Sequence, residues 1–170
     1  MNQRSIEMPD SVFVRKAIPI DALTLLELIH GLAIYEKLQP PDADAQKRLT
    51  NDLFGPRPRI DAYLGFYDGK AVAYAIVFET YSSFLALPTL YLEDLFVLPE
   101  YRSRKIGIAM FRTLVSEALR RGCGRMEWAV LDWNQLAIDF YKRVGATFMK
   151  EWRLYRLLRS DMEKIVNMDS

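Results

Sequence analysis

The sequence predicts an α/β (α+β) domain, a mixed central sheet of about six to seven strands with helices on both faces. Three observations carry this. β-rich runs dominate the middle of the chain, amphipathic helical stretches alternate with strands after it, and 51% of the 170 residues are hydrophobic, enough to fill one core. One domain over residues 1–170, with its core at about 12–158, is expected.

Residues 1–10 read as a polar, loosely held start, and Val12-Phe13-Val14-Arg15 as a short strand. Leu25, Leu28, Ile29, Leu32 and Ala33 recur at helical spacing, so a helix is expected over 20–37, with Asp21 near its start as a cap. Pro40-Pro41-Asp42 breaks the chain before a second short helix over 43–53. After the turn Gly55-Pro56-Arg57-Pro58, two β-rich runs, 62–67 and 70–80, flank Asp68-Gly69, a pair that favours a tight hairpin. A loop over 81–88, ending in Pro88, leads to a strand over 89–98. Ile106, Met110, Thr113, Leu114 and Ala118 stripe a helix over 106–121, which Gly122 and Gly124 end. A strand over 125–131, a helix over 134–144 stopped by Gly145, and strand material over 148–158 follow. The last ten residues read as a loose helix or tail.

The 23 Lys and Arg nearly cancel the 22 Asp and Glu. A net charge of +1 leaves no electrostatic footprint for nucleic acid and no polybasic stretch for an anionic membrane. The single cysteine, Cys123, permits no intramolecular disulfide, and residues 1–10 carry no apolar signal segment. The longest apolar runs, such as 71–78, are too short to span a bilayer. A cytoplasmic protein whose partner is chosen by a local site is the expectation. One histidine, His30, and one cysteine build no standard zinc site, so no metal is expected. His30 reads as an ordinary helix-face residue. Cys123, between Gly122 and Gly124, reads as a turn or packing residue rather than a nucleophile.

Three segments stand out. The first is the basic loop Tyr101-Arg102-Ser103-Arg104-Lys105-Ile106-Gly107, from which a helix opens. A helix N-terminus presents unpaired N–H groups and a partial positive charge, Gly107 allows close backbone approach, and the three cations add charge. Together they suit a diphosphate, although a basic turn before a helix is also ordinary solvated surface. The second is Tyr91-Leu92-Glu93-Asp94-Leu95-Phe96, two carboxylates inside an apolar strand. Strand alternation sends Glu93 and Asp94 to opposite faces, where each must meet water, a partner or a cavity. A carboxylate bonded to nearby backbone is the equally good alternative. The third runs from Trp133-Asn134-Gln135 to Phe140-Tyr141-Lys142-Arg143. By spacing alone it is a surface helix with a tyrosine at its edge.

In this order and spacing, these segments resemble the GNAT superfamily of N-acetyltransferases, and within it the diamine (spermidine/spermine) and thialysine acetyltransferase branch. The residues that carry the resemblance are Tyr91-Leu92-Glu93-Asp94 with Phe96-Val97, Pro99-Glu100-Tyr101-Arg102, Ile106-Gly107, Ala129-Val130-Leu131-Asp132-Trp133-Asn134-Gln135, and Phe140-Tyr141-Lys142-Arg143 with Gly145-Ala146. Leu32-Ala33, Tyr35-Glu36-Lys37 and Trp152-Arg153-Leu154 extend it to roughly residues 12–158. Two features depart from the branch. Lys105 stands where the superfamily loop has its first glycine. Because that position opens a helix, a helical conformation is expected there, in which lysine is harmless and its ammonium helps hold phosphates. The region Tyr81-Ser82-Ser83-Phe84 lacks the acid of the spermidine enzymes, and Glu27 replaces a first-helix arginine.

The resemblance implies the GNAT fold and an acetyl-CoA-dependent transfer to a primary amine of a small molecule (a diamine, polyamine, thialysine or lysine-like amino acid) by direct attack in a ternary complex. It implies that coenzyme A lies between the strands over 89–98 and 125–131. Its pantetheine would follow Phe96 and Val97, its diphosphate would sit on Arg102, Ser103, Arg104, Lys105, Ile106, Gly107 and Ile108, and Asn134, Lys142 and Arg143 would reach it from the facing helix. Glu93, or Asp94 as second choice, would take the proton of the amine, a Val97 amide would stabilise the oxyanion, and Tyr141 would protonate the leaving thiolate. Glu36, Tyr81, Ser82, Phe84, Glu93 and Trp152 are the expected acceptor-site residues, and a homodimer is expected. A protein or peptide N-acetyltransferase and a non-catalytic CoA-binding module on the same fold are the competing readings. Glu93, Asn134 and Tyr141 argue against the second, because binding alone needs no acid.

Overall fold

The computed structural model describes residues 11–168, so the loosely held start expected over 1–10 lies outside the described residues. The chain divides into two compact units, Met1–Ala129 and Val130–Ser170. In the first, β1 (Val12–Lys16), β2 (Asp61–Tyr67), β3 (Lys70–Ser82), β4 (Leu87–Val97) and β5 (Arg125–Glu127) lie in chain order in one mixed sheet. The first four are antiparallel and β5 is parallel to β4. The same unit holds α1 (Ala22–Glu36), α2 (Ala43–Phe54) and α3 (Ile106–Arg120).

The hairpin between β2 and β3 follows from its turn residues. Asp68 (φ 48°) and Gly69 (φ 78°) both adopt the left-handed region that a two-residue type I′ turn requires. Alternation along β2 then sends Leu64 and Phe66 to one face of the sheet, where they join Tyr74, Ile76 and Phe96 and bury Leu25 and Leu28 of α1. The other face receives α3. A Cβ on Gly65 would lie 2.8 Å from Met110 Sδ and 3.3 Å from Ile106 Cγ2, so the helix sits on strand backbone only because residue 65 has no side chain. Helices therefore cover both faces, as expected. Asp21 occupies the N-cap position of α1 without capping it. Its carboxylate instead accepts from Arg15 at 2.6 and 2.9 Å and from the Ile18 amide at 2.8 Å.

Among the described residues the sheet has five strands, not six to seven. β5 stops at Glu127 rather than Leu131: its ladder to β4 ends at the pair Tyr91↔Glu127, two residues before an irregularity in the β4 register at Glu93. Residues 148–158 form no strand. The described part of the second unit contains α4 (Gln135–Arg143) and α5 (Arg159–Val166) and no strand, so the β-like composition of 148–158 has no ladder to join there. Conversely, β3 and β4 extend into the expected 81–88 loop, with Tyr81 opposite Pro88 and Ser82 opposite Leu87. Pro88 is tolerated because the group it uses is its carbonyl, which accepts from the Gly124 amide at 2.9 Å.

Candidate active site

The irregularity in β4 builds the first part of the site. Asp94 pairs with Ile76 but Leu92 pairs with Val77, so Glu93 is an extra residue, a β-bulge. Strict alternation, which would send Glu93 and Asp94 to opposite faces, is broken there. Both line one cavity of about 570 Å³, walled by Ile29, Leu49, Ile60, Ile76 and Phe78. Burial pushes the Asp94 carboxyl up to about 6, and the nearby charges of Glu93 and Glu36 push the same way. A hydrogen bond from Tyr74, Oη to Oδ2 at 3.1 Å, acts in the opposite sense. Burial also raises Glu36, at the end of α1. Among the described residues, none of Glu36, Glu93 and Asp94 forms an ion pair.

The second part is the turn into α3. Ser103 (φ 63°) and Lys105 (φ 64°, ψ 5°) are both left-handed. The helical conformation expected for Lys105 is therefore not the one it adopts. The chain must reverse sharply between the 3-10 turn Pro99–Tyr101 and α3, and a left-handed residue makes that corner at a steric cost that glycine would avoid. The first backbone bond into α3 runs from Ala109 N–H to Lys105 O at 3.1 Å, so the amides of Ile106, Gly107 and Ile108 belong to the first turn, which has no intrahelical acceptor. Gly107 has no packing reason to be glycine: an added Cβ would meet nothing closer than Val97 Cγ2 at 3.9 Å. Glycine there leaves the backbone bare toward an approaching ligand, at a cost of about 1 kcal/mol in helix propensity.

Two of the loop's three cations lie against aromatic rings. Arg102 lies 4.5 Å from the Tyr35 ring and donates Nε to Val97 O at 3.2 Å, tying the loop to the end of β4. Arg104 lies 4.8 Å from the Tyr67 ring and 5.6 Å from that of Tyr101. β4 itself runs on from Leu92 to Val97 beyond its last partner on β5, so Phe96 and Val97 lie on a strand edge that β5 does not cover. A bare first turn, a glycine without a packing role, pinned cations and an uncovered strand edge fit the diphosphate and the amide-bearing arm of a coenzyme A.

In the second unit, Asn134 caps α4, its Oδ1 accepting from the Ala137 amide at 3.2 Å. Lys142 and Arg143 are exposed in the last turn, where they complement the helix dipole. Tyr141 packs edge-on to Phe140 at 5.5 Å, and burial pushes its phenol up to about 12. Trp152 is exposed. The other expected acceptor residues lie at the far end of the β3–β4 hairpin: Tyr81 and Phe84 are exposed, and Ser82 is buried with Oγ accepting from the Leu85 amide at 3.3 Å. By the strand rise this end is about 20 Å along β4 from Glu93, so the structure groups Glu36 with the carboxylates and leaves these three outside the cavity. Tyr74 was not anticipated. In the sequence it is one aromatic in an apolar run, and only the β3–β4 register brings its hydroxyl to Asp94. Among the described residues no group of His, Cys, Asp and Glu could hold a metal ion, and no helix is long and apolar enough to cross a membrane.

The model of the acetyltransferase (GNAT) family matches residues 29–146. The chain is 34% identical to thialysine N-epsilon-acetyltransferase of Bos taurus, with 91% of this chain and 96% of the relative covered. It is 27% identical to L-ornithine N5-acetyltransferase NATA1 of Arabidopsis thaliana, over 89% and 86%. Among solved structures, an integron cassette protein from the mobile metagenome of V. cholerae superposes with a TM-score of 0.76 at 22% identity, over 92% of this chain and 98% of that one. A family match over well over half the chain, together with the loop that opens α3, makes this protein a member of the GNAT family, an acetyl-CoA-dependent N-acetyltransferase.

Proposed function

We propose that the acceptor is a primary amine on a small cationic molecule of the lysine, thialysine or diamine type, which attacks directly in a ternary complex. The cavity at the β4 bulge carries this reading: Glu93 and Asp94 meet an ammonium group, and apolar walls suit its methylene chain. The names of the bovine and Arabidopsis relatives, for thialysine and L-ornithine, support the same class.

Such an amine has a pKa of about 10.4 and must lose a proton before it can attack. Asp94, held at about 6, is ionised at neutral pH yet basic enough to receive that proton, which makes it a better acceptor than an ordinary carboxylate. Glu93, more exposed at the same cavity, draws in and orients the ammonium. Acetyl-CoA, when bound, supplies the acetyl group as an activated thioester. The amides of Ile106, Gly107 and Ile108 hold its diphosphate, and the edge of β4 at Phe96 and Val97 aligns its arm. Tyr141 Oη, its phenol pushed up to about 12 by burial, keeps a proton at neutral pH and passes it to the sulfur as the C–S bond breaks, the phenolate then regaining a proton from solvent. A homodimer is part of the proposal, supported by the exposed Tyr81, Phe84, Leu85 and Leu87 at the hairpin end.

A CoA-release screen across lysine analogues, diamines and polyamines tests the acceptor class. Turnover with lysine analogues or diamines is expected, and a response only to peptides overturns the small-molecule reading. Tyr141→Phe is expected to lower turnover by roughly 10²-fold or more while leaving acetyl-CoA affinity in place. Unchanged turnover removes Tyr141 from the mechanism.

A further inference from the structure

We propose that Tyr74 is a positioning residue for the transfer: its buried hydroxyl grips Oδ2 of Asp94 and leaves Oδ1 to receive the proton of the acceptor amine. The inference rests on the reading of Asp94 as proton acceptor.

Tyr74 lies in the middle of the core on the α1 face of the sheet and is 0% exposed. Its ring packs against Phe96 at 6.3 Å, a job phenylalanine would do as well. A hydroxyl at such a depth is costly unless it is bonded. Its partner is Asp94, 3.1 Å away and 20 residues on in the sequence. The register explains the meeting. Tyr74 pairs with Phe96 and Ile76 with Asp94, so Tyr74 and Asp94 are diagonal neighbours on one face, immediately beside the bulge at Glu93. One strand position thus aims a carboxylate into the cavity, and the adjacent strand supplies a donor that locks its rotation.

The groups facing Asp94 are Tyr74 from β3, Glu93 from β4 and Glu36 from α1. Both acids oppose its ionisation, as does burial, and among the described residues no cation pairs with it. The Tyr74 bond is the one influence among these that favours the charged form. The hydroxyl therefore does two things for one carboxylate: it sets the orientation and keeps the group ionised at neutral pH.

Tyr74→Phe tests this, because it keeps the ring and removes only the donor. Two measurements on the full chain are needed: a 13C carboxyl NMR titration of Asp94 in the free protein, and the pH profile of kcat/KM with a lysine analogue. The NMR midpoint of Asp94 is expected to rise by about 1 to 2 pH units, the scale of a hydrogen bond to a charged group. The acid limb of the rate profile should move up with it, so that turnover lost at pH 7 is recovered at higher pH. A loss that is uniform across pH would mean only a loosened core. In an Asp94→Asn background, adding Tyr74→Phe should change turnover by less than about 2-fold, since the two act as one unit. An unmoved Asp94 titration overturns the inference whatever the rate does. A moved titration with an unmoved rate profile overturns the proton-acceptor reading instead.

Discussion

Two acid clusters on the same sheet behave in opposite ways. In one, Asp61, Glu79 and Glu117 surround Arg121, which reaches them at 2.6, 3.2 and 2.7 Å. Lys16 adds a contact to Asp61 at 2.5 Å and Arg120 one to Glu117 at 2.6 Å. In the other, Glu36, Glu93 and Asp94 share a region with no cation paired to them among the described residues. The hydrogen bond from Arg120 leads the effects that hold the Glu117 carboxyl at about 2, against the opposing effect of burial. Burial would raise Asp61 as well, but the Lys16 and Arg121 bonds outweigh it and the group is lowered. Without such partners, burial wins at Asp94 and takes it to about 6. Carboxylates are thus lowered where cations neutralise them, and Asp94, with no cation beside it among the described residues, is raised by its burial.

The largest expected effect lies at the paired cluster. Arg121→Ala leaves partly buried carboxylates without their common partner and should cost about 3 kcal/mol or more in chemical denaturation, with little change in turnover per folded molecule. A loss below about 1 kcal/mol would mean that the network is screened surface charge.

The pH dependence of stability separates the two clusters next. Glu117 is lowered in the fold, so its contribution is complete above the unfolded value of 4.5 and is lost as pH falls toward about 2. Asp94 is raised, so its contribution is present below the unfolded value of 3.8 and is lost as pH climbs through about 6. Thermal melts should show both limbs, and Asp94→Asn should flatten only the second. The same variant should raise stability at pH 7 by about 1 kcal/mol, because it removes a charge held among like charges.

The α3 loop is the third case, where Arg102 and Arg104 lie against aromatic rings, and its Lys105 carries the smallest effect. Lys105→Gly removes a left-handed lysine and should raise stability by about 0.5 to 1 kcal/mol, read as an increase in Tm. A drop would show that the lysine side chain makes contacts worth more than the backbone strain.

Local signals made much of this molecule legible. Asp68-Gly69 announced the hairpin, apolar spacing announced α1 and α3, and Asn134 and Gly145 bracketed α4, whose span matches the expectation. The carboxylate pair stood out inside an apolar strand and the basic loop at the opening of a helix. What the sequence concealed depends on pairing between distant segments. The bulge at Glu93 exists only in the register of β4 against β3, so the shared cavity for Glu93 and Asp94 could not be read from alternation. The Tyr74–Asp94 bond follows from that same register, and the Arg121 network joins β2, β3 and the end of α3. Residues 148–158 have strand-like composition, but a strand forms only where a ladder accepts it, and composition is silent on that. Lys105 is the local failure: helix opening and left-handed geometry coexist at one position, a combination that residue preference argues against.

The proposed reaction depends on Asp94, beside the β4 bulge, receiving the proton of the acceptor amine. Release of CoA thiol with a lysine analogue, compared between the wild type and Asp94→Asn at equal concentrations of folded protein, tests it most directly. A fall of roughly 10²-fold or more in kcat/KM is expected for the variant, with a wild-type profile that rises as pH passes through about 6. Equal rates for the two proteins, or a wild-type profile flat across that pH, would contradict it.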